Sequence, residues 1–492
     1  MRPLFVYGTL MRRFQNEGAR RLWDGAQFLG AARVPGRLYM VDRYPGLRPA
    51  HGPDEWVHGE VVMPANAETL VPELDDYEGT EYRRVETEAT LETGEKIDVC
   101  VYEFHRELPE SKLVRSGRFL AWALVLLTVS TSLSAQTRRV SDAEVRKVHR
   151  SAILIDTHND VTSRTVQGFD IGPRSADGHT DLVRMKAGGM TATFFAAYVA
   201  AGNTEGNRSA HRALQMIDTV RRDIVERHPQ QVVFATRAAD IVRAKKQRKI
   251  AALIGIEGGH AIEDDLRLLR DYYDLGVRYM TLTHTNTNGW ADSSGDMAKE
   301  GVQHHNGLTD FGKQVIREMN RLGMMVDISH VSDKTFWDVL EVSQKPVIAS
   351  HSSCRSISNI PRNMTDEMIQ AMAKKGGIVQ INLGCEFLSQ KSADTSSFGN
   401  PSLRPDSGVK IVRATIDDVF AHIDHIRRIA GIDAVGLGSD FDGVECVPEG
   451  LEDTSQWPNL TRRLLEHGYS AADIRKIYGG NLLRVMRAVE AR

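Results

Sequence analysis

From about residue 150 onward, apolar runs of strand length alternate with stretches of helical periodicity. Eight such runs stand out: Ala152–Asp156, Met190–Val199, Ala251–Ile256, Val277–Thr283, Met324–Ser329, Val347–Ser350, Gly377–Leu383 and Ala434–Gly438. They are apolar throughout rather than alternating, which is the pattern of strands buried on both faces. The segments between them read as capped helices. Thr309 opens one that sets Val315, Ile316, Met319 and Leu322 on one face and stops at Gly323. Thr415 opens another that buries Ile416, Val419, Phe420, Ile423 and Ile426. Alternating β and α units with eight strands predict an α/β fold, a barrel in preference to a doubly wound sheet.

Residues 1–108 have a different texture. Leu4–Tyr7, Val57–Val62, Val85–Leu91 and Val99–Phe104 read as strands, with Pro35-Gly36 and Pro45-Gly46 as turn signals. The prediction is a small β-rich domain. Residues 109–118 are polar and read as a linker. Phe119–Ala135 then carries no charge, follows Arg115 and Arg118, and ends in Ser132, Ser134 and Ala135. That is the layout of a secretory signal, and it is short for a spanning helix, which needs about 20 apolar residues. The chain therefore divides into a domain at 1–108, a linker with a signal-peptide-like or signal-anchor segment at 109–136, and a barrel at 140–492. Two expectations follow for a signal in mid-chain. Either this is a true fusion, membrane-anchored through 119–135 with the barrel in a periplasm-like space and the first domain in the cytoplasm, or a separate exported protein begins near Val114.

Composition narrows the function classes. A length of 492 residues accommodates two domains, and 41% hydrophobic with 26% charged residues is ordinary for a folded protein, so disorder is not the default. A net charge of −3, from 62 Lys+Arg against 65 Asp+Glu, leaves no field to attract nucleic acid. Four cysteines without CxxC spacing argue against a thiolate zinc site or a disulfide scaffold, while a single pair in an exported domain stays open.

The histidines are more telling. His158 and Asp160 follow the first barrel run, Glu257 the third, His284 the fourth, His330 the fifth, His351 the sixth and Asp440 the eighth. Barrel enzymes build their active sites at the carboxyl ends of the strands, so these side chains are expected at one mouth. In His158-x-Asp160 the two side chains point the same way on an extended chain and can share one ion. His330 and His351, on neighbouring strands, can hold a second, with Glu257 between the two. Imidazole and carboxylate ligands without thiolate suit zinc. A close pair of such ions generates a nucleophile from water near neutral pH. His304, His305, His422 and His425 fall on loops or helix surfaces and read as structural.

The segments Ile155–Asp160, Gly255–Gly259, Thr281–Thr285, Val326–Ser332, Ala349–Ser353, Arg362-Asn363, Gly438–Gly443 and Gly479–Val485 resemble the membrane (renal) dipeptidase family of zinc metallopeptidases, over about residues 150–490. The resemblance implies a TIM-like (β/α)8 barrel that hydrolyses dipeptides with a hydroxide held between two zinc ions. His158 and Asp160 would bind one zinc, His330 and His351 the other, and Glu257 would bridge them. His284 would stabilise the oxyanion. Arg362 would pair with the substrate's terminal carboxylate. Asp440 would carry a proton from the hydroxide to the leaving amine. Another two-metal amidohydrolase, such as a deacetylase of N-acyl amino acids, and a non-catalytic binding barrel remain competing readings. An oligomer is left open.

In the first domain, Phe5–Leu10, Tyr44–Leu47, Leu74–Gly79 and Tyr82-Arg83 resemble the γ-glutamylcyclotransferase-like fold over about residues 1–108. There the resemblance implies that Tyr7, Gly8, Thr9 and Leu10 cradle the glutamyl part of a γ-glutamyl peptide through their backbone. Glu78 would shuttle the proton as the α-amine attacks the γ-carbonyl.

Overall fold

The computed structural model describes residues 2–8, 10–12, 17–41, 44–78, 82–106, 108, 113–114, 117, 138–396 and 410–491. Two compact units separate at residue 136, Met1–Gln136 and Thr137–Arg492.

The first unit is a seven-stranded sheet of β1 (Leu4–Val6), β2 (Gln27–Pro35), β3 (Arg37–Val41), β4 (Tyr44–Arg48), β5 (Trp56–Met63), β6 (Tyr82–Leu91) and β7 (Lys96–Phe104). Its order is β1-β5-β2-β6-β7-β4-β3, and β1 also pairs with β7 in parallel, so the sheet curls back on itself. Phe5, Val34, Leu38, Val57, Val61 and Val99 fill the interior. Val114 joins that core and Leu113 bridges to Tyr39, so this unit takes in part of the segment read as a linker. The four expected strands are present. β2 and β4 escaped the pattern because Gly, Ala and Pro dilute their apolar signal, and β3 because it is only 5 residues long. Pro35-Gly36 does mark the turn from β2 to β3. Pro45-Gly46 does not mark a turn: both residues lie inside β4, opposite Met40 and Tyr39 of β3. On its other side β4 meets β7 at Leu47 and Glu103 alone, so Pro45 interrupts almost no ladder.

The second unit holds β8 (Leu154–Asn159), β9 (Met190–Tyr198), β10 (Val232–Phe234), β11 (Ile250–Glu257), β12 (Val277–Thr281), β13 (Met325–Asp327), β14 (Ile348–Ser352), β15 (Ile378–Ile381) and β16 (Val435–Leu437). All pairings are parallel. Eight strands run in the path β8-β9-β11-β12-β13-β14-β15-β16, while β10 pairs with the start of β11. The seam between β16 and β8 is nearly closed. Asn159 bridges to Phe441, the Asp440 N–H donates to the His158 carbonyl at 3.0 Å, and the Thr157 hydroxyl donates to the Leu437 carbonyl at 3.0 Å. The eight expected strands thus form a TIM-like barrel, and β10 was too short to read.

Inside the barrel, Ile155, Phe194, Leu253, Tyr279 and Ile348 pack with Leu482, Val485 and Met486 of the C-terminal helix Asn481–Glu490. Apolar packing therefore fills this part of the interior, and the polar strand-end residues gather at the carboxyl ends of the strands. Among the outer helices, Asp310–Leu322 begins at Thr309, whose hydroxyl accepts from the Gly312 N–H, and ends at Gly323 with φ of 84°. Helix Ile416–Ala430 begins at Thr415 and buries Val419, Ile423 and Ile426, with Ile416 and Phe420 half-buried.

One placement on that helix differs from expectation. His422 is fully buried rather than on a helix surface, because it falls in the same stripe as Val419 and Ile426. Its Nδ1 accepts from the Cys354 N–H and its Nε2 bonds the Leu388 carbonyl, both at 3.0 Å, so its role is structural as expected. The single disulfide left open by the sequence joins Cys385 to Cys446, while Cys100 and Cys354 are free and buried. Among the described residues no helix is long and apolar enough to cross a membrane, and segment 119–135 lies outside them.

Candidate active site

Each candidate side chain of the barrel sits at or just beyond a strand's carboxyl end. His158 lies in β8 and Asp160 just after it, Glu257 closes β11, and His351 lies in β14. His284, His330 and Asp440 each follow their strand by three residues. His330 and Asp440 adopt left-handed backbone, with φ of 69° and 60°. For residues other than glycine such backbone is uncommon and costs energy, and it clusters at functional sites.

The side chains converge on Glu257. Its Oε2 lies 3.5 Å from His158 Nε2, and its Oε1 lies 3.0 Å from His330 Nε2 and 3.3 Å from His351 Nε2. Asp160 Oδ2 stands 3.2 Å from His158 Nε2, as the two-residue spacing requires. His284 Nε2 is 3.7 Å from Glu257 Oε1. Three overlapping groups have ligand atoms close enough to share an ion: His158 with Glu257 and His351, Glu257 with His284 and His330, and His158 with Asp160 and Asp440.

The surroundings prepare these groups for a cation. The Tyr279 hydroxyl donates to the Thr157 carbonyl at 3.0 Å and lies 2.8 Å from His158 Nδ1. Its one proton is committed, so Nδ1 carries the hydrogen and the Nε2 lone pair faces the site. The Ser350 hydroxyl does the same for His351: it donates to Asp327 Oδ2 at 2.5 Å and meets His351 Nδ1 at 2.7 Å. Asp327 is itself held by the Thr281 hydroxyl and by the Ser329 and Ser350 N–H groups. Tyr279 reaches this position because residue 255 is glycine, where a Cβ would stand 2.0 Å from the tyrosine ring.

Electrostatics agree with the geometry for three of the four rings. In the absence of a cation the fourth, His158, is held well above its ordinary value, its burial being outweighed by Tyr279 and the Glu257 and Asp160 carboxylates. Burial, then the Arg362 cation, pushes the His330 imidazole well below its ordinary value, and burial also lowers His284 and His351. These rings are neutral and present lone pairs. Burial pushes Asp160 up to about 8. His158 Nε2 and Asp160 Oδ2 are buried atoms with no hydrogen-bond partner. Buried donors and acceptors left unpaired are costly, and a cation among them resolves the deficit. The donor set therefore fits a metal.

Above this cluster opens a cavity of about 610 Å³, lined by Glu257, His284, Arg362 and Asp440 among others. Arg362 is buried beneath it, with its guanidinium donating to the His351 carbonyl at 3.2 Å and to Ser352 Oγ at 3.4 Å. Burial lowers it to about 10, so it stays charged near neutrality. Asp440 accepts from Asn382 Nδ2 at 2.7 Å. All seven strand-end candidates and Arg362 are thus brought together. The sequence reading missed Tyr279, Ser350, Asp327 and Asn382. The signal available for Tyr279 and Asp327 was a polar group inside an otherwise apolar strand.

In the first unit, Tyr7, Gly8 and Leu10 lie just past β1, and Tyr7 and Leu10 are buried. The Tyr7 hydroxyl donates to the Tyr102 carbonyl at 2.6 Å and accepts from the Leu47 N–H at 3.1 Å. A Cβ on Gly8 would stand 2.4 Å from Pro45 Cγ. Glu78 ends helix Ala67–Glu78; its side chain and Thr9 lie outside the described residues.

Comparison with known proteins gives the same partition. Residues 142–492 match the family described as Membrane dipeptidase (Peptidase family M19), and residues 4–121 match Gamma-glutamyl cyclotransferase, AIG2-like. Dipeptidase 3 of Mus musculus is 38% identical over 343 residues, covering 68% of this chain and 64% of that protein. The chain therefore spans somewhat under two thirds of that relative. Among solved structures, the probable dipeptidase PvdM from Pseudomonas aeruginosa is 25% identical, with a TM-score of 0.61 over 71% of this chain and 98% of the other. A metallopeptidase from Rhodobacter sphaeroides, liganded with a phosphinate mimic of the dipeptide L-Ala-D-Ala, is 25% identical, with a TM-score of 0.59 over 69% of this chain and 99% of that one. By the extent of these matches, the chain belongs to the membrane dipeptidase family, peptidase family M19, whose solved relatives include metallopeptidases.

Proposed function

We propose that the barrel hydrolyses dipeptides with two zinc ions, one held by His158 and Asp160, the other by His330 and His351, with Glu257 shared between them. The observation that carries this reading is the posture of Glu257, whose two carboxylate oxygens face different imidazoles, Oε2 toward His158 and Oε1 toward His330 and His351. When bound, such ions acidify a water and polarise the scissile carbonyl. The chain's own groups do the rest. Arg362 binds the terminal carboxylate through its guanidinium fork, which the His351 carbonyl and Ser352 hold in place. His284, kept neutral by burial, donates a hydrogen bond to the oxygen where negative charge develops. Asp440, steadied by Asn382, accepts the proton of the attacking water and returns it to the leaving amine. Arg362 favours a substrate with a free carboxylate, which a dipeptide and an N-acyl amino acid share, so rates on the two separate the readings. The test is metal content by mass spectrometry of the purified full chain, alongside its rates on Ala-Ala and N-acetyl-alanine. Two equivalents of zinc with hydrolysis of Ala-Ala alone support the reading. Faster hydrolysis of N-acetyl-alanine replaces it with the deacetylase.

For residues 4–121 the corresponding proposal is cyclisation of γ-glutamyl peptides to 5-oxoproline and a free amine, with Glu78 moving the proton. The family match supports it, and 5-oxoproline release, lost in Glu78→Gln, tests it. An exported barrel, anchored through 119–135 or cleaved after it, is also proposed. The Cys385–Cys446 disulfide supports an oxidising compartment. The size of the native protein in its source cells separates the anchored fusion from the cleaved form.

A further inference from the structure

Three carboxyl groups that line the cavity have no part in the proposed hydrolysis: Asp442, which accepts from the His179 N–H and pairs with Arg164, and two others. Glu386 and Glu445 both line the cavity that contains Glu257, Arg362 and Asp440. They come from distant parts of the chain. Glu386 lies in the short helix Cys385–Leu388 after β15, and Glu445 in the loop after β16. The disulfide joins the residues directly beside them, Cys385 and Cys446, whose Cα atoms are 5.4 Å apart, and the Cys385 N–H donates to the Cys446 carbonyl at 3.0 Å. The crosslink thus fixes both acids on one wall.

Glu386 is only 8% exposed, and its Oε2 is buried without a hydrogen-bond partner. A buried carboxylate oxygen without a partner is costly and is normally paired. Among the described residues lining this cavity, Arg362 is the only lysine or arginine, and in the proposed reaction it is taken by the substrate carboxylate. The neighbours of Glu386 make matters worse, since burial and the charges of Asp440 and Glu445 all push it up, to about 7. The Arg362 guanidinium lies over the Phe387 ring, 5.3 Å from its centroid, so the carboxylate anchor stands next to Glu386 in the wall. A dipeptide whose terminal carboxylate met Arg362 would, on that pose, carry its C-terminal side chain toward that wall.

We propose that Glu386, with Glu445, forms an acidic subsite that selects dipeptides whose C-terminal residue bears a cationic side chain, a primary amine or a guanidinium. The inference rests on the dipeptidase reading above. The bound cation supplies the missing partner of Glu386 and relieves its repulsion with Asp440 and Glu445.

The experiment compares kcat/KM for Ala-Lys, Lys-Ala and Ala-norleucine on the zinc-loaded full chain, on Glu386→Gln and on Glu445→Gln. Ala-Lys is expected to exceed Ala-norleucine by about tenfold or more, as for a charge-assisted hydrogen bond of about 1.5–3 kcal/mol. That ratio falls toward one in Glu386→Gln and part of the way in Glu445→Gln, which stands in if the first variant does not fold. Equal rates for Ala-Lys and Ala-norleucine in the parent chain, or a ratio unaltered in the folded variants, overturn the subsite while leaving the dipeptidase standing. A preference for Lys-Ala overturns its placement at the C-terminal residue. No hydrolysis of any of the three overturns the dipeptidase reading itself, and the subsite with it.

Discussion

The two units carry family motifs of similar clarity, yet their motif residues have very different surroundings. In the barrel, side chains from five other strands gather with Glu257 of β11, and several of their polar atoms lack protein partners. In the first unit, Tyr7 and Gly8 are employed by the fold. The Tyr7 hydroxyl makes two buried hydrogen bonds, and Gly8 is a glycine because Pro45 leaves no room for a side chain. A motif that marks a fold is satisfied internally, whereas one that marks chemistry leaves donors and acceptors unspent. Unspent groups are what a metal or substrate completes.

The largest test of that contrast is to remove its centre. Glu257→Gln keeps the shape but takes away the shared negative charge facing His158, His330 and His351. Dipeptide hydrolysis is expected to fall by at least about 10³-fold, equivalent to roughly 4 kcal/mol of transition-state stabilisation. Treatment with a chelator should give a loss of the same order, reversed by added zinc. A Glu257→Gln variant with full activity and two metals would break the comparison, because the barrel cluster would then be as structural as the Tyr7 loop.

That centre was legible in the sequence because strand ends are legible. Each ligand follows a continuous apolar run, and an α/β barrel places those ends together. What was not legible lies across the sheet rather than along it. Tyr279 and Asp327 each show a polar group inside an apolar run, but only the register sets the Tyr279 hydroxyl against His158 and Asp327 at 2.5 Å from Ser350. His422 was misplaced because polar character was weighed above its position in the stripe with Val419 and Ile426. The Pro-Gly of β4 was misread because a turn signal takes no account of how little of the strand is paired on its other side.

Next in size is the crosslink. The disulfide closes a separation of 61 residues, for which loop-closure entropy predicts about 4 kcal/mol of stabilisation, with measured values of about 2–5. The double variant Cys385→Ser, Cys446→Ser should lower barrel stability by that order in chemical denaturation, and leave the transition of the first unit where it was. Equal loss in both transitions would show that the units do not unfold independently.

A smaller effect sharpens the barrel side. Tyr279→Phe removes the hydroxyl that fixes the His158 tautomer while the ring still fills the space made by Gly255. Loss of such an orienting partner typically weakens metal affinity by about 10–100-fold. Zinc titration against a competing chelator should show that shift at one ion and spare the other, whose His351 ligand is oriented by Ser350. A loss shared equally by both ions would mean that Glu257 transmits the change between them.

The smallest expected effect falls on the other side. Tyr7→Phe leaves the Tyr102 carbonyl and the Leu47 N–H without their buried partner, at a cost of about 1–3 kcal/mol. The first unit should melt earlier by that amount while dipeptide hydrolysis by the barrel is unchanged. If the first unit also releases 5-oxoproline, the hydroxyl is expected to have no part in that step, since it bonds the Tyr102 carbonyl of β7 and the Leu47 N–H of β4. Turnover per folded molecule should then equal that of the parent chain. A turnover that drops well beyond the loss of folded protein would show that the Tyr7 hydroxyl leaves its two partners to meet substrate. The distinction between motifs spent on the fold and motifs left for chemistry would then fail in the region where it is drawn most simply.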